Sequence, residues 1–201
     1  MSATKKSILL ILIILVLDQV SKILIKTNLM LGQEINVIGN WFILHFTENE
    51  GMAFGWNIPG SFGKLILTLF RIVAVIGIGF YLRYIIRQNA HMGLVLCISM
   101  ILAGAIGNII DSVFYGVIFD DSLYNVAQLF PEEPYGTLMH GKVVDMLYFP
   151  IINARYPSWF PIWGGDQLIF FRPVFNLADS SISIGVIVIL FFQKRFFQGL
   201  N

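Results

Sequence analysis

The last apolar segment of the chain, residues 174–194, reads VFNLADSSISIGVIVILFFQK and carries an aspartate, Asp179, near its start. As a helix it would cross a bilayer, since about 20 residues span the roughly 30 Å of hydrocarbon. Charge is expensive at that depth, so an intramembrane carboxylate indicates a functional site. A second aspartate stands just before this segment, in Lys142-Val143-Val144-Asp145-Met146. Two carboxylates at one membrane face indicate a pair that handles a proton and a water molecule.

Three further apolar segments have a similar length, residues 6–25, 64–86 and 92–112. Of the 201 residues, 57% are hydrophobic and 12% are charged, about half the roughly 25% charged residues of a soluble domain. Backbone groups in lipid must bond within the segment, which favours helices. We therefore predict an integral membrane α-helical protein with four transmembrane helices, built as a single membrane domain over residues 1–201.

Two polar connections, residues 27–63 and 113–173, should lie on the same side of the membrane. In the first, residues 35–38 and 41–46 predict short strands punctuated by glycines. The second is an extended loop rich in Tyr, Phe, Trp and Pro, and Tyr156, Trp159 and Trp163 predict an interfacial aromatic belt there.

Orientation follows from basic residues near the ends of the spans. One side carries Lys5, Lys6, Arg83, Arg87, Lys194 and Arg195, and the other carries Lys22, Lys26, Lys64, Lys142, Arg155 and Arg172. We expect the first side to be cytoplasmic, with both termini inside and the polar site near the outer face. The N-terminal run resembles a secretory signal but has no small-x-small cleavage site, so we interpret it as a retained span.

Several classes of function are disfavoured by composition. The net charge is +1 and no basic run is present, so we expect no nucleic-acid partner. The histidines at 45, 91 and 140 are far apart and lack HExxH spacing, so no metal site or cofactor is expected. The single cysteine, Cys97, forms no disulfide framework and should be a buried apolar residue.

Unusual polar residues gather at one depth, at the outer ends of all four predicted helices: Asp18, Lys22, Arg71, Asn108, Asp111, Asn176 and Asp179. Asn108 and Asp111 are three residues apart, as are Asn176 and Asp179, so each pair shares a helix face. Small residues that let membrane helices approach closely accompany them, namely Ala103, Gly107, Ser181 and Gly185. This pattern predicts a shared buried site.

Structural interpretations stand beside the functional one. Asn176 has the position of a helix N-cap. Asp111 fits a structural ion pair with Lys22 or Arg71. Asp18 and Lys22, four residues apart, have the spacing of an intrahelical ion pair. His140 fits a loop histidine, and Asp120, Asp121, Glu132 and Glu133 fit solvated loop charges.

Crowding defines the chemistry of the aspartate pair. Two carboxylates held together at low dielectric cannot both ionise, so one keeps its proton and the pair titrates as a unit. The ionised carboxylate can take a proton from water while the protonated one polarises a peptide carbonyl, as in aspartic proteases.

Five ordered motifs make the chain similar to a known family: Leu17-Asp18-Gln19-Val20-Ser21-Lys22, Asn49-Glu50-Gly51-Met52-Ala53-Phe54, Gly107-Asn108-Ile109-Ile110-Asp111, Val143-Val144-Asp145 and Phe175-Asn176-Leu177-Ala178-Asp179-Ser180. The set resembles the bacterial lipoprotein signal peptidases, or type II signal peptidases. The resemblance implies four membrane helices, a small extracytoplasmic β-cradle and a location in the bacterial cytoplasmic (inner) membrane.

The resemblance also implies an activity and its residues. The enzyme would be an aspartyl endopeptidase that cuts diacylglyceryl-modified prolipoproteins just before the lipidated cysteine, with Asp145 and Asp179 as the catalytic pair. The matching supporting positions are Asn49, Gly51, Arg71, Asn108, Asp111, Asn176, Asp18 and Lys22. Expected partners are the prolipoprotein and membrane lipid, and a monomer is expected.

The chain departs from the family pattern at two points. Ser112 stands where the family usually has arginine, so we expect the role of that arginine to be absent or filled by another residue such as Arg155 or Arg172. The loop on either side of Asp145 is also long for the family.

Two other classes of function remain open on sequence grounds. Intramembrane carboxylates also serve proton-coupled transporters, although here they cluster at one face and no inverted repeat is present. A scaffold whose polar groups only hold helices together is the third possibility.

Overall fold

A computed structural model of the chain describes residues 1–50, 61–150, 152–155, 159, 165, 167–170 and 173–198. The helices within these ranges are α1 (Ala3–Lys26), α2 (Ser61–Arg87), α3 (Met92–Ile110), α4 (Gly116–Ile118) and α5 (Leu177–Phe196). The strands are β1 (Glu34–Ile38), β2 (Phe42–Asn49), β3 (Val143–Tyr148), β4 (Ile152–Arg155), β5 (Gln167–Phe170) and β6 (Val174–Phe175).

Four stretches of this part of the chain are long and apolar enough to cross a membrane: α1, α2, α5 and the continuous stretch from α3 to α4. Helix α3 lies at the centre of the bundle and packs against α1, α2 and α5. The prediction of four transmembrane helices is confirmed.

Small residues bring α3 and α5 together, as their spacing predicts. A Cβ atom on Gly185 would lie 2.9 Å from the carbonyl oxygen of Cys97, so only glycine fits that contact. One turn away, the Ser181 hydroxyl donates to the Met100 carbonyl at 2.7 Å. Cys97 itself is a free, buried thiol, as expected.

An antiparallel sheet covers one end of the bundle, in the order β1-β2-β3-β6. Strands β1 and β2 confirm the two predicted strands, and β2 continues further than predicted, to Asn49. The register of β2 on β3 sets Thr47 opposite Asp145 and Asn49 opposite Val143. Strands β4 and β5 pair separately as an antiparallel hairpin.

The prediction for residues 113–173 and for the start of the last span needs correction. The segment is more than an extended loop, because it contains β3, β4 and β5, and Asp145 lies within β3. The last helix begins at Leu177 rather than at residue 174, since Val174 and Phe175 pair with β3 as β6. Strand pairing with β3 takes up the backbone groups of those residues, so the helix starts after them.

The outer end of α3 continues as a π-helical turn, Asp111–Tyr115, which leads into α4. Such turns occur often at functional sites. The segment before β3 lies directly on this turn: a Cβ atom on Gly141 would lie 2.0 Å from the carbonyl oxygen of Asp111. The glycine N–H donates to the Ser112 carbonyl at 2.9 Å. This close approach brings β3, and with it Asp145, against the helix ends.

Candidate active site

Asp145 lies in β3 with its side chain turned into the protein, and the residue is only 4% exposed. Its Oδ1 accepts a hydrogen bond from Asn176 Nδ2 at 2.7 Å, and its carboxyl also accepts one from the Asn49 side chain. Burial is the main cause that raises the pKa of Asp145, and repulsion from Asp179 adds to it, so the pKa lies at about 7. The carboxyl is therefore poised to hold a proton near neutral pH.

Asp179 lies in the first turn of α5, and Asn176 is the N-cap of that helix. The Asn176 Oδ1 accepts the backbone N–H of Asp179 at 2.8 Å. The predicted capping role of Asn176 is thus confirmed, and the same side chain also reaches Asp145. A helix N-terminus stabilises a carboxylate in its first turn. Asp179 is therefore held beside Asp145 in a place suited to negative charge.

Two asparagines join the carboxylates into one hydrogen-bonded chain. Asn176 Nδ2 lies 3.1 Å from Asn108 Oδ1, and Asn108 Nδ2 donates to Asp179 Oδ1 at 2.7 Å. The order is Asp145, Asn176, Asn108, Asp179. The structure thus brings together four predicted site residues that come from β3, α3 and α5.

Lys22 holds this chain from α1 and is fully buried. Its Nζ lies 2.9 Å from Asp18 Oδ2 and 2.8 Å from Asp111 Oδ2, and it donates to Asn108 Oδ1 at 3.0 Å. The predicted pairing of Asp111 with Lys22 is confirmed, as is the intrahelical pair of Asp18 and Lys22. Lys22, Asp18 and Asp111 therefore support Asn108 from inside the protein and do not line a cavity beside Asp179.

The two carboxylates bound to Lys22 also tie the backbone together. Asp18 Oδ1 accepts the N–H of Ala178 at 2.9 Å, which caps α5 from a neighbouring helix. Asp111 Oδ2 accepts the N–H of Val144 at 3.3 Å, next to Asp145 in β3. One buried cluster therefore fixes the chain at the residue preceding each catalytic candidate.

Arg71 lies on α2 and faces the site. Its guanidinium donates to Ser112 Oγ at 3.3 Å, and its charge interacts with Asp179, Asp111 and Asp145. Ser112 in turn donates to the Asn108 carbonyl at 2.9 Å. Ser112, which stands where the family pattern has an arginine, thus accepts a hydrogen bond from the guanidinium of Arg71. The side chains of Arg155 and Arg172, considered as replacements, lie outside the described part of the chain.

The remaining predicted positions have different outcomes. Asn49 contacts Asp145, as described above, whereas Gly51 lies outside the described residues. His140 is a loop histidine bonded to the Thr137 hydroxyl and the Leu138 carbonyl, each at 3.0 Å. Of the aromatic belt, Trp159 is exposed, while Tyr156 and Trp163 lie outside the described residues.

Two cavities meet at Asp179. One, of about 250 Å³, is lined by Arg71, Asn108 and Asp179 together with apolar residues of α2, α3 and α5. The other, of about 470 Å³, is mainly apolar and includes Phe175, Ser183 and Ile184 in its walls. Asp179 is thus accessible from both cavities, whereas Asp145 is buried and lines neither. Across the described residues, no group of three or more His, Cys, Asp or Glu side chains is arranged to hold a metal ion.

Sequence reasoning missed several residues that complete the site. Gln19 Nε2 donates to Asp111 Oδ1 at 3.0 Å and lies 3.1 Å from Asp18 Oδ2. The Tyr115 hydroxyl donates to Gln19 Oε1 at 3.1 Å. Gln19 sits beside Asp18 in the first motif, and this was the signal that could have identified it.

A second buried lysine was also missed. Lys26 pairs with Glu48 of β2 and donates to Ser122 Oγ at 2.7 Å. Its Nζ lies 5.0 to 5.8 Å from the ring centres of Tyr135, Phe119 and Phe46. Together these residues form what we term the Lys26 cluster, with Lys142 at its edge, 3.3 Å from Glu48 Oε2.

The sequence of the chain is similar to those of known proteins. Residues 10–195 match the family model described as signal peptidase (SPase) II. The chain is 54% identical over 188 residues to the lipoprotein signal peptidase of Porphyromonas gingivalis, covering 92% of this chain and 81% of that protein. It is 38% identical over 193 residues to the lipoprotein signal peptidase of Amoebophilus asiaticus, covering 93% and 77%.

A solved structure is also similar, described as a bacterial membrane enzyme structure by the in meso method at 2.3 Å resolution. It aligns with a TM-score of 0.61 and 27% identity, covering 94% of this chain and 88% of that one. The match agrees with the four membrane helices and the antiparallel sheet at one end. With the family model covering nearly the whole chain, this protein belongs to the signal peptidase II family.

Proposed function

We propose that this chain removes the signal peptide from prolipoproteins that carry diacylglycerol on their cysteine, by cutting the peptide bond just before that cysteine. Asp145 and Asp179 act as the catalytic pair. One observation carries the proposal: the two carboxylates are joined through Asn176 and Asn108 at the sheet-bearing end of a four-helix membrane bundle.

The environments of the two carboxylates divide their roles. Asp145 is buried and its pKa is raised to about 7 by burial and by its neighbour, so it carries the shared proton. Asp179 faces both cavities and lies at a helix N-terminus, which favours negative charge. It is the base. Carboxylates whose environments separate their proton affinities are a recurrent form of acid and base pairing.

Peptide hydrolysis on this pair proceeds in two steps, each with two proton transfers. Asp179 takes a proton from water as the oxygen attacks the carbonyl carbon, while Asp145 gives its proton to the carbonyl oxygen. The tetrahedral intermediate then collapses as Asp179 passes its proton to the leaving nitrogen. The hydroxyl proton returns to Asp145, so the pair ends in its starting state.

The neighbouring residues support binding and positioning. Arg71 lines the smaller cavity beside Asp179 and is placed to orient the peptide carbonyls of the substrate. The larger, apolar cavity is suited to acyl chains or apolar side chains. Asn49 and Gly51 belong to the motif for which the family resemblance implies substrate contact. Asp18, Lys22 and Asp111 keep the catalytic pair in place.

The proposed orientation sets both termini in the cytoplasm and the catalytic pair near the outer face of the bacterial inner membrane. Basic residues at the ends of α1, α2 and α5 support it. No Asp or Glu occurs in residues 1–17, 64–110 or 180–201, so the positive charge at the terminal end is uncompensated. We propose that the enzyme acts as a monomer.

Separate Asp145→Asn and Asp179→Asn variants test the function on a purified diacylglyceryl precursor. Each change should lower cleavage at least about a thousandfold, while Asp121→Asn, at an exposed loop carboxylate, leaves it unchanged. The unmodified precursor should stay uncut. Cleavage at the normal rate by either catalytic variant would remove that carboxylate from the mechanism. Proton flux in liposomes without any cleavage would favour the transporter instead.

A further inference from the structure

A third cavity lies at the opposite end of the bundle, where the chain termini are. It measures about 380 Å³ and opens between α1 and α2. Over their described residues these two helices hardly contact each other, and each of them packs against α3. The space is therefore a groove between two membrane helices that faces the lipid, and the proposed peptidase mechanism makes no use of it.

The groove has a polar end and an apolar wall. Arg83 and Arg87, four residues apart on α2, lie together at its mouth with Thr4 of α1. Ile8, Ile11 and residues of the facing helix line the part nearer the membrane centre. Neither guanidinium group makes a hydrogen bond or an ion pair with any described residue. The guanidinium groups are thus available for a ligand.

Charge determines which ligand fits. No Asp or Glu occurs in residues 1–17, 64–110 or 180–201, the segments that include this end of the bundle, so the arginines have no acidic side chain from these segments as a counter-ion. Arginine binds phosphate through paired hydrogen bonds, and basic pockets between membrane helices bind anionic lipid headgroups. The positively charged start of a signal peptide would be repelled here. The substrate is therefore a poor candidate for the groove.

We propose that this groove binds one anionic phospholipid from the leaflet on the side of the chain termini. Its phosphate pairs with Arg83 and Arg87, and the first part of an acyl chain lies along the apolar wall formed by α1 and α2. The bound lipid fills the gap between these helices, which both pack against α3. This inference is independent of the peptidase activity.

Glycines on α2 allow the acyl-chain contact to be tested apart from the headgroup contact. Gly79 lines the groove, and a Cβ atom there would meet nothing within 4 Å. Gly77 is equally open but lies outside the lining of the groove. Gly79→Phe therefore fills the groove with both arginines intact, and Gly77→Phe is its matched control.

Native mass spectrometry of the purified full chain, titrated with phosphatidylglycerol or phosphatidylcholine, measures the retained lipid. We expect one phosphatidylglycerol to be retained in preference to phosphatidylcholine. Arg83→Gln with Arg87→Gln should weaken its retention at least about tenfold, since each basic residue contributes about fivefold near anionic lipid. The pair Lys194→Gln with Arg195→Gln removes the same charge from the same end on α5 and should have little effect. Gly79→Phe should release the lipid and Gly77→Phe should not.

Several results would overturn the proposal. Equal losses of phosphatidylglycerol in the Arg83→Gln/Arg87→Gln and Lys194→Gln/Arg195→Gln variants would mean that this end of the bundle attracts anionic lipid in general and has no specific site. Equal retention of the two lipids would remove the role of charge, and retention by Gly79→Phe would remove the acyl contact. Displacement of the lipid by glycerol 3-phosphate would identify a soluble phosphate ligand instead. Each variant is first checked for monodisperse elution and an unchanged far-ultraviolet spectrum, and single arginine variants replace a pair that fails.

Discussion

Two fully buried lysines lie one turn apart on α1 and are neutralised in different ways. Lys22 touches two carboxylates, Asp18 and Asp111, at 2.9 and 2.8 Å. Lys26 pairs with one carboxylate, that of Glu48, and is otherwise surrounded by a hydroxyl and three aromatic rings. The first environment has two carboxylates for one lysine, whereas in the second one carboxylate, that of Glu48, is shared by Lys26 and Lys142.

The difference indicates what each lysine does. The positive charge of Lys22 lowers the pKa of Asp145, against the effect of burial, and its amine donates to Asn108 in the hydrogen-bonded chain between Asp145 and Asp179. Lys22 thus joins the helix bundle to the chemistry. Lys26 instead joins α1 to β2 and to the loop at Ser122. It supports the fold of the outer segments and acts on the site only through β2.

The largest contrast is expected from removing each charge. Lys22→Met leaves two buried carboxylates without a counter-ion, so the free energy of unfolding should fall by about 3 to 5 kcal/mol and cleavage should be lost. Lys26→Met leaves only Glu48, which keeps Lys142 at 3.3 Å, so we expect a fall of about 1 to 3 kcal/mol with most activity retained. Chemical denaturation and precursor cleavage in the same detergent measure both effects.

Equal losses of stability and activity in these two variants would contradict the contrast. Lys22→Arg is the control that keeps the charge, and it should recover part of the stability. If Lys22→Met cleaved normally, the cluster around Lys22 would have no role in catalysis.

A smaller effect is expected on the pH dependence of cleavage. In the proposed mechanism the protonated Asp145 is the acid, so kcat/KM should fall as pH rises through about 7. Asn49→Ala removes a hydrogen bond that lowers the pKa of Asp145, which should move this decline to higher pH. Lys26→Gln should leave its midpoint in place. A shift to lower pH in Asn49→Ala, or equal shifts in both variants, would contradict the assignment.

The same proton should affect stability. An ordinary aspartate carboxyl, as in the unfolded chain, has a pKa of 3.8, whereas that of Asp145 in the folded protein is about 7. Between these values the folded state holds a proton that the unfolded chain has released. The stabilisation that Asp145 contributes to the free energy of unfolding should therefore be fully present below pH 3.8. It should be lost as the pH rises to about 7.

The sequence predicted the parts of this molecule that depend on local signals. The four membrane spans follow from the length of apolar segments, and the pair Asn108 with Asp111 follows from helical spacing. Asn176 instead precedes α5 and meets Asp179 through a capping hydrogen bond, so the predicted shared helix face is wrong for that pair. Charge inside a membrane segment is rare, so Asp179 was conspicuous. Family motifs added the link to Asp145, whose own surroundings in sequence are less distinctive.

Contacts between distant segments could not be predicted in the same way. Asp145 lies on a strand whose partner β2 comes long before it in the chain, and consecutive residues Val143, Val144, Asp145 and Met146 are all buried, so no alternation marked the strand. Lys26 resembled an ordinary interfacial lysine, because its partners come from β2 and from a loop after α4. The contact of Arg71 with Ser112 depends on how α2 packs on α3.

Infrared difference spectroscopy of the purified enzyme tests most directly whether Asp145 and Asp179 share a single proton that resides on Asp145. A protonated-carboxyl band should be present below neutral pH and disappear with a midpoint of about 7. Asp145→Asn should abolish the band. Asp179→Asn should preserve it with a lower midpoint, because the repulsion that raises the pKa of Asp145 is gone. A band that survives Asp145→Asn and is lost in Asp179→Asn would contradict the account.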